Sequence, residues 1–262
     1  MQRNPHSPFV SFVLVLIFVS LACATAQPAP TNTPQPTSTS TKTATPTATQ
    51  TPIPSRTPRP TKKTPNLAAT QRFDELNAEV QTYYEKGYLA TDEGRFRELD
   101  DFKEEWAQLG WYSWWLLNDT TSDFYMKAHF KWSSAYRSAD LSGCGFVFAV
   151  EQNEDHYAVF LDKSKVYFVE TSYYYRPFGP TRGTGRVNFD NPADHLVEAD
   201  FTLIVKGAYA YVLVDEEVVG EYTLAQSKNL RGRLGLSLLS GTNKDYGTRC
   251  EMTNLHLWIP KN

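Results

Sequence analysis

The chain has 262 residues, 41% of them hydrophobic and 21% charged, with a formal net charge of −3. That charge is unevenly spread. Residues 1–66 hold six of the 26 basic side chains (Arg3, Lys42, Arg56, Arg59, Lys62 and Lys63) and none of the 29 acidic ones, so residues 67–262 carry 20 basic against 29 acidic groups, a net −9. Such a segment excludes nucleic acid as its main partner, because phosphate binding needs clustered Lys and Arg. Its length suffices for one domain that buries roughly 70% of the unfolded surface.

From the start of the chain, Arg3 precedes an almost unbroken apolar run from Phe9 to Ala22 that ends in small residues, the pattern of a secretory signal over residues 1–23. Ser20-Leu21-Ala22-Cys23 resembles a bacterial lipobox, with Leu21 two residues before the cysteine instead of three. Cleavage there leaves Cys23 to carry a lipid that anchors the chain to the membrane. Ala24-Thr25-Ala26 offers the alternative of ordinary cleavage after Ala26, which gives a secreted product. Kept uncleaved, the run falls short of the roughly 20 apolar residues of a full span. Every route exports the domain.

Residues 24–66 contain 14 Thr and 10 Pro among 43, with almost no large apolar side chain. They cannot offset the entropy of folding and form a disordered linker. Proline biases it toward polyproline II, about 130 Å at full reach at ~3.1 Å per residue.

Thr70 to Lys86 reads as a helix, with Phe73, Leu76, Val80 and Tyr83 on one face and Gly87 as its stop. A second, weaker helical stretch is expected from Arg97 to Leu109, with Leu99, Phe102 and Trp106 aligned. Beyond Asp123 the period becomes two. Phe124, Met126, Ala128, Phe130 and Trp132 alternate with more polar neighbours, and similar runs recur at 144–150, 156–161, 165–170, 201–206, 209–214, 218–223, 233–240 and 249–259. Short strands with no helices between them imply a mainly β fold, two antiparallel sheets packed face to face with the N-terminal helix docked on them.

Several of these runs carry a resemblance: Gly143-Cys144-Gly145-Phe146-Val147-Phe148, Asp155-His156-Tyr157-Ala158-Val159-Phe160-Leu161-Asp162, the Phe201–Lys206 and Tyr209–Asp215 pair, and the endings Gly235–Leu238 and Asn254–Trp258. They resemble the successive strands of concanavalin A-like lectin/glucanase jelly rolls, particularly laminin-G-like and 3-keto-disaccharide-hydrolase-like domains. The resemblance covers about Phe96 to Ile259 and implies a jelly-roll sandwich. It does not imply one activity, because the fold hosts lectins, glycosidases and adhesion modules. Asp215-Glu216-Glu217 stands where such domains usually turn with Asn-Gly or Asp-Gly. Leader, Thr/Pro linker and jelly roll together resemble a bacterial surface lipoprotein.

In an exported chain with Cys23 lipidated or removed, Cys144 and Cys250 are the two remaining thiols and are expected to be bonded, the alternative being two buried free thiols. The scattered His129, His156, His195 and His256 show no metal-ligand spacing. Many related sandwiches bind calcium, which stays open as an alternative here although no dense Asp/Asn loop singles out ligands; no cofactor is otherwise expected.

Glycosidases of this fold place paired carboxylates on one strand in the pattern Glu-x-Asp-x-x-Glu. No strand here carries it. The acidic groups Glu151, Glu154 and Asp155, and Asp215, Glu216, Glu217 and Glu221, fall in or beside expected turns, where solvated charge is the ordinary explanation. His156 beside Asp155 has no nucleophile motif with it and reads as structural.

The aromatic content points elsewhere: residues 67–262 hold six Trp, fifteen Tyr and twelve Phe. Sugar C–H faces stack on such rings while polar side chains bond the hydroxyls. Two clusters are candidates. Trp111-Tyr112-Ser113-Trp114-Trp115, if extended, sends Tyr112 and Trp114 to one face, which either the Thr70 helix covers or stands open as a platform. Tyr173, Tyr174, Tyr175, Arg176 and Phe178 open a Gly/Pro-punctuated loop that reaches His195. With Trp114 they form the expected ligand set of a non-catalytic module for carbohydrate or cell-envelope polysaccharide. A glycoside-processing enzyme and a protein-binding or architectural surface domain are the alternatives.

Overall fold

The computed structural model describes residues 67–136, 141–172, 174–189, 196–225 and 230–261, without the side chains of 67–69. The signal segment, Cys23 and the 24–66 linker lie outside the described residues.

Two antiparallel sheets face each other. Strands are numbered in chain order. One sheet runs β1 (Gly94–Glu98), β14 (Thr248–Pro260), β4 (Phe124–Ser134), β10 (Leu196–Lys206), β11 (Tyr209–Val214), β12 (Glu217–Thr223) and β9 (Arg182–Gly183), with β2 (Phe102–Trp106) also paired to β14. The other runs β3 (Trp111–Thr121), β13 (Gly232–Ser240), β5 (Gly143–Val150), β6 (His156–Leu161), β7 (Val166–Ser172) and β8 (Tyr174–Phe178). Neighbours in space are mostly distant in sequence, as in a jelly roll. The period-two runs therefore become strands.

Alternation along each strand sends one side chain set between the sheets. Phe130, Phe146 and Phe201 meet there at ring distances of 4.9 to 5.6 Å, and Phe148 stacks on Tyr157 at 5.2 Å. Cys144 on β5 and Cys250 on β14 form a disulfide inside this core, with Cα atoms 5.8 Å apart, and so tie one sheet to the other.

Helix α1 (Leu67–Glu85) docks on the outer face of the eight-stranded sheet, where Val80, Tyr83 and Leu89 pack with Tyr125, Ile204, Leu213 and Trp258. Gly87, at φ +78°, ends it as a left-handed cap; its N–H bonds the Tyr84 carbonyl, Tyr88 N–H bonds that of Tyr83, and Lys206 Nζ reaches the Gly87 carbonyl at 2.7 Å. The helix therefore does not cover the Tyr112 and Trp114 face, which belongs to the other sheet; its apolar stripe is matched by the rings of β4 and β14 instead.

The expected second helix over 97–109 is replaced by β1 and β2. Both strands bond the same edge of β14, Arg97 opposite Leu257 and Cys250 opposite Glu104. Leu99, Phe102 and Trp106 suit a helical face, but the ladder to β14 supplies partners that an isolated helix lacks, and Phe102 is buried in the core. Lys103 pairs with Glu251 and Arg249 with Glu105 across the register.

The turn after β11 is a two-residue hairpin. Asp215 and Glu216 both adopt positive φ, 49° and 68°, which matches a type I′ loop without glycine. Asp215 Oδ1 accepts from Asp200 N–H at 2.8 Å while Asp215 N–H donates to the Asp200 carbonyl at 2.9 Å, holding the left-handed residue in place.

Candidate functional site

The outer face of the six-stranded sheet carries two features side by side, a group of aromatic rings and a polar cleft. Its floor is set by strand register. Trp114, Ser237, Gly145, Phe160 and Tyr167 lie in one cross-strand row, and Leu116, Gly235, Val147, Ala158 and Val169 in the next. In the first row the central strands thus present Ser237 and Gly145 between the rings of Trp114 and Phe160, and in the second Gly235 stands beside Leu116. At Gly145 a Cβ would meet the Val159 carbonyl oxygen at 2.0 Å, so the position accepts only glycine.

Over this low floor the rings of β3 lean inward. Tyr112 reaches Phe160 at a ring distance of 5.2 Å, Trp114 at 5.6 Å and Tyr175 at 6.1 Å, and Trp114 sits 5.0 Å from the His156 ring. His156, Thr171 and Tyr175 face one another across β6, β7 and β8. The Tyr112 hydroxyl lies 2.6 Å from His156 Nε2 and 2.9 Å from Thr171 Oγ1. A backbone carbonyl only accepts, so His156 Nδ1 carries the proton it shares with Glu154 O; Nε2 then accepts from Tyr112, whose oxygen accepts from Thr171. Burial pushes the Tyr112 phenol up to about 12, and burial also raises that of Tyr175, whose hydroxyl donates to Tyr167 Oη at 3.1 Å. Both phenols stay neutral hydrogen-bonding groups at physiological pH.

Trp114 is half-buried and Tyr175 40% exposed, so their rings reach solvent, whereas Tyr112 beneath them is buried. Beyond Leu116 and Val150 the face opens into a cleft of ≈ 630 Å³. Thr120, Gln152, Asn153, Arg231 and Arg233 give it donors and acceptors, and Glu151 its one carboxylate. Rings beside such groups can hold a sugar by stacking and by hydrogen bonds to its hydroxyls.

Of the expected ligand residues, Trp114 and Tyr175 come together on this face. The others do not. Tyr174 to Phe178 is the edge strand β8, not a loop, because it pairs with β7 from Ser172–Tyr174 to Phe168–Phe178. Alternation therefore divides the group. Phe178 packs into the core, 4.8 Å from the Phe168 ring, and Arg176 pairs with Glu170 at 2.5 Å. Tyr174, 82% exposed, stands two residues from Arg176 on the same side of the strand. Tyr173 lies outside the described residues. The cleft residues carry no mark in the sequence: Gln152 and Asn153 sit in a turn, and Arg233 on a strand that reads as core.

The outward positions of β3, β13, β5, β6, β7 and β8 are aromatic, aliphatic, hydroxylic, amide, His, Arg, Pro or Gly, and the carboxylates of these strands point elsewhere, Asp119 toward Arg97 and Glu170 toward Tyr157 and Arg176. Among the described residues no group of three or more His, Cys, Asp and Glu gathers as a metal set.

No protein-family model matches the sequence, and no curated protein matches it. Solved structures similar to it include the carbohydrate binding module CBM66 from Bacillus subtilis, with 12% identity and a TM-score of 0.41 over 61% of this chain and 92% of that one. Arcelin-5, a lectin-like defense protein from Phaseolus vulgaris, has 11% identity and a TM-score of 0.44 over 63% and 90%. A fructosyltransferase from A. japonicus has 14% identity and a TM-score of 0.41 over 64% of this chain; the match spans 27% of that enzyme.

Proposed function

We propose that the folded segment is a non-catalytic carbohydrate-binding module, directed to cell-envelope or other extracellular polysaccharide. The observation that carries this reading is the juxtaposition of the Trp114 and Tyr175 rings with the polar cleft on one face. A flat apolar patch would favour a protein partner; here Leu116, one cross-strand row from Trp114, lines a cleft with Gln, Asn, Arg and Thr side chains. Hydrolysis needs an acid and a second carboxylate flanking one bond, and the strand positions of this face are filled by other residue types. Export and tethering complete the reading: the leader carries the chain out, Cys23 bears the lipid, and the Thr/Pro linker holds the domain away from the membrane.

Pull-down of the full chain on a panel of insoluble polysaccharides tests the binding reading, with Trp114→Ala and Tyr175→Ala beside the wild type. Retention of the wild type by at least one polymer, and its loss in both variants, is expected. Equal retention of all three proteins, or of none, removes the proposed site. Incorporation of labelled palmitate in the wild type but not in Cys23→Ser tests the anchor.

A further inference from the structure

The polar cleft identifies the class of sugar. Arg231 and Arg233 are two residues apart on the outward side of one chain segment, at the start of β13, and flank Gly232. Gly232 fits there because a Cβ would meet the Ala149 carbonyl carbon at 2.3 Å, so the strand presses against β5 and brings Arg233, opposite Val150, to the cleft. Arg233 donates from Nε and Nη2 to a single backbone acceptor, Leu117 O, at 3.3 and 3.2 Å. That contact orients the guanidinium without neutralising it and leaves Nη1 unspent.

Arg72, Arg97, Arg176, Arg182 and Arg249 each pair with Glu or Asp, as expected in a segment with an excess of acidic groups. Arg233, like Arg95 and Arg186, has no such carboxylate among the described residues, and of these three it alone lines the cleft. Arg233 lines the cleft beside Gln152 and Asn153 in a domain of net −9. A planar guanidinium held by one edge is suited to the charge-assisted, paired bonds that a carboxylate accepts. We infer, resting on the carbohydrate reading above, that the bound polysaccharide is acidic, with a uronate carboxylate seated on Arg233 while a neighbouring ring stacks on Trp114. The overall negative charge of the domain opposes indiscriminate attraction of polyanions, so any preference for an acidic polymer is local to this cleft.

Affinity electrophoresis of the full chain through gels containing polygalacturonate, alginate or hyaluronate, each beside its carboxyl-reduced neutral counterpart, tests this. The wild type is expected to bind at least one acidic polymer about tenfold or more tightly than the reduced form at 150 mM salt, roughly the size of one charge-assisted contact. Arg233→Gln should bring the ratio close to one, because it weakens binding of the acidic polymer far more than that of its reduced form. Arg176→Gln, whose arginine is paired with Glu170 on the other side of β8, should keep the ratio. Equal affinity of the wild type for both forms, or a ratio that survives Arg233→Gln, overturns the acidic assignment while carbohydrate binding stands. If no polymer, acidic or neutral, retards the wild type, the carbohydrate reading falls with it.

Discussion

Tyr112 Oη and His156 Nε2 lie 2.6 Å apart although their strands, β3 and β6, are separated by two others in the sheet. The bond spans them because Ser237 and Gly145 keep the intervening floor low, and Thr171 on β7 adds a third member at 2.9 Å. The rings that reach solvent, Trp114 and Tyr175, rest on this linked group. Tyr112→Phe keeps the ring and deletes the bond that His156 and Thr171 each make to it. Urea denaturation should show a loss of about 1–2 kcal/mol, the net value of buried hydrogen bonds. Polysaccharide affinity should weaken as well, since the rings above are less firmly held. Unchanged stability would mean that the hydroxyl contributes no net hydrogen bonding.

Gly145 is the narrowest point of that floor. An added methyl meets the Val159 carbonyl oxygen at 2.0 Å and the Phe160 ring carbon at 2.7 Å, and strand pairing lets neither withdraw. Gly145→Ala should therefore cost about 1–3 kcal/mol by overpacking, read from the shift in urea midpoint. Gly179, where a Cβ has nothing within 4 Å, is the control, and Gly179→Ala should be nearly neutral.

The β pattern was legible because alternation is local: the runs 156–161 and 209–214 coincide with β6 and β11 residue for residue. The Cys144–Cys250 pairing was legible from compartment and count. Helix and strand could not be told apart over 97–109, where Leu99, Phe102 and Trp106 fit either period and the deciding partner, β14, lies some 150 residues away. Trp114 and Tyr175 were legible as rings, but not their meeting, which depends on Gly145 and Ser237 in strands that read only as core. Gln152, Asn153, Arg231 and Arg233 carry no local signal, since a turn amide or a strand-end arginine looks like any solvated group until register brings it to a cleft.

The buried Cys144–Cys250 bond joins β5 to β14, and so one sheet to the other. With a sequence separation of 106 it restricts the unfolded chain strongly. Replacing both cysteines by Ala should lower stability by about 2–5 kcal/mol, measured by urea denaturation without reductant. Thiol labelling of the denatured, unreduced chain followed by peptide mapping should leave the Cys144 and Cys250 peptides unlabelled. Label on either peptide would contradict the bond.

Glu79 makes the attachment of α1 sensitive to acid. Burial alone raises the pKa of this side chain, but hydrogen bonds with Lys127 and Tyr125 and the charges of Lys127 and His256 outweigh that and hold it below its ordinary 4.5. Its oxygen lies 2.7 Å from Lys127 Nζ. A carboxyl whose folded pKa is depressed adds stability that is fully present above the unfolded value and disappears as the pH falls through the folded one. The stability gap between wild type and Glu79→Gln should thus be constant from pH 7 to about 5 and shrink below about 4.5. Denaturation midpoints at pH 7, 5, 4 and 3 measure it, and a gap that widens in acid would reverse the assignment.

Strand alternation decides what each residue of Tyr174–Phe178 reports. Tyr175 shares the outer face with Tyr112 and Tyr167, whereas Phe178 turns inward to Phe168, Tyr157 and Tyr222. Tyr175→Ala removes a 40% exposed ring and should reduce polysaccharide retention about tenfold or more, the scale of one stacked aromatic, with a smaller effect on stability. Phe178→Ala opens a hole in the core and should cost about 3–5 kcal/mol while the folded fraction keeps its affinity. Arg176→Ala breaks one exposed ion pair and should change either quantity by less than about 1 kcal/mol. A loop that wrapped a ligand as a unit would lose binding in all three variants; an edge strand loses it in one. Parallel denaturation and retention measurements on these three proteins therefore separate the two arrangements, and loss of binding with intact stability in Phe178→Ala or Arg176→Ala would place the ligand on the other side of β8.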